Sequence, residues 1–522
     1  MRNKKFVLVQ ALWNTYKPLI QEGYQALDKT IVLSLPAASM PAESSTMDTG
    51  IGSPYGKGAL RIWRFWQNTI HKIMLGPVGK TEAKTYYSPY LASWDYNPFL
   101  VDLEQLQRQG LVSSDDLKKL YHTTKRECFI DFYQVEQSYN KILKIAWKNS
   151  KSSKTFSRFC NDIIKQQQAK FPFTYIADIP INIPESIHKR HPDWFLKDFC
   201  LGAPPDEYSP EAQKWGFPVL NPKAFVSVGN RLGPAARMFK RLLKFYLNAH
   251  INGIRLDHFI GWVDPYCFYT GTKNYDNGRL FSSPEHPLLK DFYLKNQSDF
   301  LYLTNKFLMP LVREFNLSTL DIYPEDLGMR PPAMDYVLRN LHFGKMLPIQ
   351  FNDPTNPQHM YHLANALPED MAVIDTHDSN SLQTFFNELS EQKRNAFAQE
   401  LARDLRFNYT QDLAQPNWLY RMQWAAALAS PARRVLVFFT TLMGQSGRYN
   451  TPGVLDSWHL RCCTNFEEEY FKALKSFQAY NPFEAIRWAI YARDDDFYHA
   501  HRDLVQRLQT AEENLFNALQ NL

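Results

Sequence analysis

The sequence predicts an α/β protein, a (β/α)8 TIM barrel with large, mainly helical and loop insertions after the early strands. Three observations carry this. Eight short apolar runs rich in β-branched and aromatic residues recur along the 522 residues. No two of them are close enough to be joined by a tight hairpin, and segments of helical spacing lie between several. A parallel pair of strands needs a long crossover, usually a helix, so strands alternating with helices point to a parallel sheet. Eight such units point to closure into a barrel; a doubly wound open sheet is the alternative.

The runs are Thr30–Leu35, His71–Leu75, Phe173–Ile179, Gly253–Asp257, Thr319–Tyr323, Lys345–Phe351, Met371–Asp375 and Arg434–Phe439. Met238, Leu242, Phe245 and Ala249 repeat at the spacing of a buried helical face just before the fourth run. Leu301–Phe315 fills that role before the fifth. The spacing is uneven, with about a hundred residues between the second and third runs and about seventy between the third and fourth. The chain, 1–522, therefore reads as one catalytic barrel domain with two insertions. The first, about 98–170, contains Leu103–Gln168, which is helical and charged. The second, about 183–230, is rich in Pro, Gly and aromatics and reads as an ordered loop region at a substrate cleft. Residues 465–522 read as C-terminal helices packing on the barrel.

Hydrophobic residues make up 44% and charged residues 21% of the chain, enough apolar material for a substantial core. That excludes a disordered, collagen-like or disulfide-stapled small protein. The net charge of +6 is spread over 59 basic and 53 acidic side chains with no run of five or six like charges, which argues against a nucleic-acid partner. Nothing approaches the ~20 apolar residues of a membrane span. The stretch Phe6–Trp13 is interrupted by Gln10 and lacks a small-residue cleavage site, so no signal peptide is expected. The six cysteines form no C-x-x-C pair, and the adjacent Cys462 and Cys463 are not expected to be partners. A reduced, cytoplasmic compartment is the expectation.

In a closed barrel the strand C-termini line the catalytic face. Three runs lead into an acid there: Arg255-Leu256-Asp257-His258-Phe259, Pro324-Glu325-Asp326-Leu327-Gly328 and Thr376-His377-Asp378. A single acid at a strand end is often a cap for the next helix; three that could face one mouth suit glycosidic-bond chemistry. One carboxylate must be ionised to attack or stabilise a cationic sugar carbon, and another must hold a proton for the leaving oxygen. Arg255 lies two residues before Asp257, so both side chains point to one side of a strand. A guanidinium there is expected to keep Asp257 ionised; a structural ion pair is the rival reading.

At these residues the chain resembles the amylomaltases, the 4-α-glucanotransferases or disproportionating enzymes of the α-amylase superfamily. Gly253-Ile-Arg-Leu-Asp257-His-Phe-Ile-Gly261 is similar to the family's nucleophile motif, Glu325-Asp-Leu-Gly328 to its acid/base motif and Thr376-His-Asp378 to the segment of its third carboxylate. Pro54-Tyr-Gly-Lys-Gly58, Leu75-Gly-Pro-Val-Gly79, Ser88-Pro-Tyr90, Asn97-Pro98, Asp178-Ile-Pro-Ile181, Gly202-Ala-Pro-Pro-Asp206, Gln213-Lys-Trp-Gly216, Arg448-Tyr-Asn-Thr-Pro-Gly453 and Trp458 follow in family order. The chain departs from the pattern at Leu91–Tyr96, which is shorter and carries Trp94, at Ile374–Ser381 and around Ala37–Gly50.

The resemblance implies Asp257 as nucleophile, Glu325 as acid and then base, and Asp378, helped by His377, as the group that binds hydroxyls of the distorted sugar. It implies Tyr90 and Trp215 as platforms for glucose rings and Asp206 as a hydroxyl contact or loop brace, with Arg255 beside the nucleophile. Ordinary loop packing is the other reading of Tyr90 and Trp215. The implied partners are α-1,4-glucans and maltooligosaccharides as donor and acceptor, with glucose as product or acceptor. No cofactor and no metal is expected: Gly56-Lys57 lacks the flanking residues of a phosphate loop, and His188 and His191 read as solvated. The expected activity is glucan transfer. A hydrolase on the same site and a catalytically silent glucan-binding barrel are the alternatives.

Overall fold

Each of the eight apolar runs contains a strand: β1 Thr30–Ser34, β2 Lys72–Met74, β3 Tyr175–Ile179, β4 Ile251–Leu256, β5 Ile322–Pro324, β6 Met346–Pro348, β7 Met371–Val373 and β8 Arg434–Phe438. Several strands are shorter than the runs that predict them. Thr319–Asp321 is a 3-10 turn because Ser318 and Asp321 close a capping box, a local alternative to the ladder. β6 ends at Pro348, which has no N–H to give, and Ile349–Phe351 turns away as a second 3-10 segment. The computed structural model describes residues 4–123, 128–205, 210–227, 231–247, 250–270, 278–280, 308–310, 312–451, 454 and 457–520. These fall into two units: Met1–Met74 with Pro98–Gln167 and Leu347–Leu522, and Leu75–Asn97 with Gln168–Met346.

In the first unit β2, β1, β8 and β7 lie side by side, all parallel, with Val32 opposite Lys72 and Thr30 and Met371 opposite Arg434. All five residues of β8 are buried, the continuous apolar pattern of a sheet covered on both faces. The helices Leu103–Arg108, Ser114–Thr123, Phe132–Asn149 and Phe156–Lys170 occupy the first insertion. Trp13 on the helix Lys4–Ala26 packs against Phe65, Trp66, Tyr470 and Phe471, an aromatic core that joins this helix to Lys57–Trp66 and Phe466–Lys475. Beyond Asn465 the chain is helical. Pro482–Arg493 packs on Pro416–Ala429, and Arg502–Gln520 on Lys4–Ala26.

Cys462 and Cys463 are not partners, as expected, but the cysteines are not all reduced: Cys463 is bonded to Cys128, 335 residues away, while Cys160, Cys200, Cys267 and Cys462 are buried thiols. The pairing follows from tertiary contact: Arg461 N–H donates to Cys128 O, and Ile130 N–H to His459 O, so the two segments are already side by side.

In the second unit β5, β4 and β3 form a parallel sheet. Gly253 marks a register shift in β4, and a Cβ there would lie 2.9 Å from Asp321 O and 3.0 Å from Ile176 Cγ1. A second, antiparallel sheet of four strands has the order Arg279–Leu280, Tyr266–Tyr269, Phe195–Ala203, Gln213–Leu220. The region 183–230, expected as an ordered loop, thus supplies two paired strands. Two register shifts and Asp198 at φ 61° hide their period of two. On the helix Pro234–Tyr246, Met238 and Leu242 are buried as their spacing predicts. Ala249, and residues 301–307 and 311 of the segment expected before β5, lie outside the described residues. No described helix is long and apolar enough to cross a membrane.

Candidate active site

β4 and β5 are in parallel register with Leu256 opposite Pro324, so Asp257 and Glu325 leave the sheet side by side. Backbone bonds tie the exit: Glu325 N–H to Leu256 O at 2.9 Å, Asp257 N–H to Ile179 O at 3.0 Å and Phe259 N–H to Glu325 O at 2.8 Å. On β3, Asp178 is the register partner of Arg255. In-register neighbours share a face, and so do residues two apart on a strand; Asp178, Arg255 and Asp257 therefore converge. The guanidinium lies 2.6 Å from Asp178 Oδ1, 2.6 Å from Glu325 Oε1 and 3.3 Å from Asp257 Oδ1. Its side chain is 5% exposed against 14% for Asp257 and 15% for Glu325, so the cation is buried while both acids keep an accessible face.

Tyr90 belongs to this group through its hydroxyl, which donates to Asp178 Oδ2 at 2.9 Å and accepts from Arg255 Nη1 at 3.2 Å. The guanidinium carbon stands 5.5 Å from the centre of its ring. Next to the nucleophile candidate, His258 holds φ 45°, a left-handed conformation uncommon for a side-chain-bearing residue. Two contacts keep it there: its N–H donates to Glu325 Oε2 at 2.8 Å, and its ring meets Trp215 edge to face at 4.4 Å. Burial lowers the His258 pKa to about 4, so the imidazole is neutral at physiological pH. Trp215 also donates to Gln213 Oε1 at 3.2 Å and packs over Ile181, Leu201 and Cys267. Asp206 lies outside the described residues.

Three carboxylates thus surround one guanidinium. Burial pushes the Asp257 carboxyl well above the usual range; Glu325 and Asp178 add to the rise, while Arg255 and the Ile181 N–H oppose it. The expectation that Arg255 keeps Asp257 ionised is therefore met in sign only. The cation opposes the rise without reversing it, because the same guanidinium is shared with two further acids. Glu325 accepts from the Arg255 guanidinium at 2.6 Å and from the His258 N–H at 2.8 Å.

Asp378 and His377 belong to the first unit, on the turn after β7. Thr376 N–H donates to Ser379 Oγ at 2.9 Å and Asp378 N–H to Thr376 Oγ1 at 3.2 Å, which shapes the turn. Asp378 Oδ2 lies 3.0 Å from His377 Nε2, Asn450 Nδ2 donates to Oδ1, and Arg448 donates to the Asp378 carbonyl. The Asn450 N–H donates to His377 O at 2.9 Å. Sequence reasoning left Asp178, His258, Arg448 and Asn450 unassigned. A signal existed for each, since all four fall inside strings that carry the resemblance; Asp178 is also an acid within an apolar run.

A metal-type cluster among the described residues is His362, Glu400 and Asp404, with one ligand-capable atom of each within 4.8 Å of the others. Its geometry suits an imidazolium bridge better than one cation's shell. Nδ1 faces Glu400 Oε2 at 3.3 Å and Nε2 faces Asp404 Oδ2 at 3.8 Å, so the two nitrogens address different acids. The Glu400 carboxylate beside it raises the His362 pKa.

The chain is 23% identical over 499 residues to the 4-alpha-glucanotransferase of Clostridium butyricum, covering 80% of this chain and 94% of that one. It is 23% identical over 508 residues to that of Thermus thermophilus, covering 78% and 91%. Among solved structures it superimposes on the amylomaltase from Streptococcus agalactiae in complex with acarbose, with a TM-score of 0.65 at 16% identity, covering 87% of this chain and 100% of that one. For the amylomaltase from Corynebacterium glutamicum the TM-score is 0.64 at 14% identity, covering 91% and 77%. These likenesses show the fold: the eight parallel strands with helices between them are a (β/α)8 barrel, not a doubly wound sheet. A family model described as 4-alpha-glucanotransferase matches residues 164–465, more than half of the sequence. The chain belongs to the 4-alpha-glucanotransferase family.

Proposed function

We propose that the chain moves α-1,4-linked glucan segments between maltooligosaccharides by a retaining double displacement, with glucose as a product and acceptor. An Asp257 oxygen forms a bond to the anomeric carbon as the bond to the leaving oxygen breaks, and Glu325 gives that oxygen its proton. An acceptor hydroxyl then attacks the same carbon, returns a proton to Glu325 and frees Asp257. Asp378, with His377, binds hydroxyls of the distorted sugar; Trp215 offers a ring face, and Asp206 a hydroxyl contact or loop brace. A positioned sugar hydroxyl has a high effective concentration at the intermediate and outruns water.

The observation that carries this reading is that one buried guanidinium contacts both Asp257 and Glu325. Burial favours the proton on Asp257 in the resting arrangement, whereas the reaction uses its carboxylate. Arg255, touching both, can follow the charge when a glucan enters. Maltotriose tests the reading: transfer yields glucose and a ladder of longer maltodextrins, and hydrolysis yields maltose and glucose with reducing ends rising in step. Asp257→Asn should lower turnover by orders of magnitude with folding intact. Glu325→Gln should still load a sugar with a good leaving group onto Asp257, seen by mass spectrometry; unchanged turnover or no covalent sugar defeats the assignment.

We further infer a cytoplasmic location, supported by four unbridged thiols. Alkylation of Cys128 and Cys463 in rapidly quenched cells tests it; a pair already bonded in the cell argues against.

A further inference from the structure

A cavity of about 390 Å3 opens in the second unit apart from the carboxylate group: Tyr90, Asp178, Arg255, Asp257 and Glu325 do not line it. Trp94, Trp194 and Phe245 form its walls, and Arg190, Arg237 and Arg241 stand around it. Arg237 and Arg241 are one turn apart on Pro234–Tyr246, so both leave the same helix face. Arg190 comes from the end of Glu185–Arg190. All three are exposed. No carboxylate lines the cavity, and among the described residues the side chains of Arg190 and Arg241 have neither an ion pair nor a hydrogen bond, while that of Arg237 donates to Leu232 O. Like charges gathered without a counterion repel one another, and a bound anion would relieve that.

The walls point to what else the ligand carries. His191 already stacks on Trp194, 3.8 Å between centroids and 2° between planes, which fixes that ring as a rigid wall. Phe245 is held by Tyr96, centroids 4.6 Å apart. A preformed aromatic pocket with convergent donors takes a ligand that has an apolar face and polar substituents. Its volume is near the lower end of the ~300–1,000 Å3 range of ligand sites.

We propose that this cavity binds a hexose phosphate. The pyranose lies along the aromatic walls, and the phosphoryl oxygens meet the guanidiniums, whose planar forks match them in pairs. A bare anion would leave the aromatic walls unused, and the small volume favours one sugar unit over an oligosaccharide or a nucleotide.

The test titrates the full-length protein with glucose 1-phosphate, followed by calorimetry and tryptophan fluorescence, beside glucose, inorganic phosphate and AMP. Saturable 1:1 binding is expected, at least tenfold tighter than for the other three. Arg237→Gln with Arg241→Gln should weaken it at least tenfold while maltotriose disproportionation stays unchanged, and Trp94→Ala, which removes one aromatic wall, should weaken it with less effect on inorganic phosphate. Equal affinity for inorganic phosphate would reduce the cavity to an adventitious anion site, and tighter AMP would make it a nucleotide site. Absence of saturation, or binding that survives loss of both arginines, would also overturn the proposal. None of these outcomes bears on glucan transfer, which rests on other residues.

Discussion

Arg255 Nη2 lies 2.6 Å from Glu325 Oε1, a closer contact than the 3.3 Å between Arg255 Nη1 and Asp257 Oδ1. The cation on the strand that leads into the nucleophile candidate is thus engaged more tightly with the other acid.

Arg255 lowers the pKa of Asp257 against the upward push of burial. Removing it leaves only the Ile181 N–H to oppose that push, so Arg255→Gln should move the acid limb of the pH profile for maltotriose disproportionation to higher pH. The shift is measured on kcat/KM, whose limbs report the free enzyme; they belong to the coupled group rather than to one residue. Losing charge-assisted bonds worth about 1.5–3 kcal/mol should also lower kcat/KM by roughly 10- to 100-fold. An acid limb that stays put, or moves down, would show that Arg255 does not set the charge of Asp257.

Tyr90 separates two roles. A stacking platform works through its ring, whereas the structure commits its hydroxyl to Asp178 and Arg255. Tyr90→Phe should therefore lose most of the activity that Tyr90→Ala loses, roughly tenfold for one charge-assisted hydrogen bond. A silent Phe variant beside a crippled Ala variant would restore the stacking role.

Asp375, just after β7, is buried, which raises its pKa to about 7 against the opposing Phe438 N–H that it accepts at 2.7 Å. The unfolded value is about 3.9. Below that value both states are protonated. Between it and about 7 the unfolded chain gives up a proton the folded chain keeps, so folding stability falls as pH rises and then levels off. At about 1.4 kcal/mol per unit, the loss is on the order of 4 kcal/mol. Asp375→Asn removes it, so the variant should melt higher than the parent at pH 8 and much the same at pH 4. An equal change in Tm at both values would rule this linkage out.

Arg461 and Asp48 form an ion pair with side chains 0% and 1% exposed. Arg461→Met leaves a buried carboxylate without its cation and should destabilise the protein by about 3–5 kcal/mol. Adding Asp48→Asn should recover part of that. Denaturant midpoints of the single and double variants measure the coupling; additive losses would mean that the two residues act independently.

The strands and the acids after them were legible in the sequence because both are local. An apolar run that ends in a carboxylate reads the same wherever it packs, and the eight runs and the motifs at Asp257, Glu325 and Asp378 needed no partner to be noticed. The antiparallel pair within 183–230 was not legible, since its register shifts break the alternation that betrays a strand.

Everything that depends on distance between remote residues waited for the fold. Asp178 becomes part of the site only when β3 lies in register with β4, bringing it to Arg255 across 77 positions. The bond between Cys128 and Cys463, the arginines around Trp94 and the proton preference of Asp257 arise in the same way. Charge, burial and reach are properties of neighbours in space, and a linear order of residues specifies which groups exist long before it shows which of them meet.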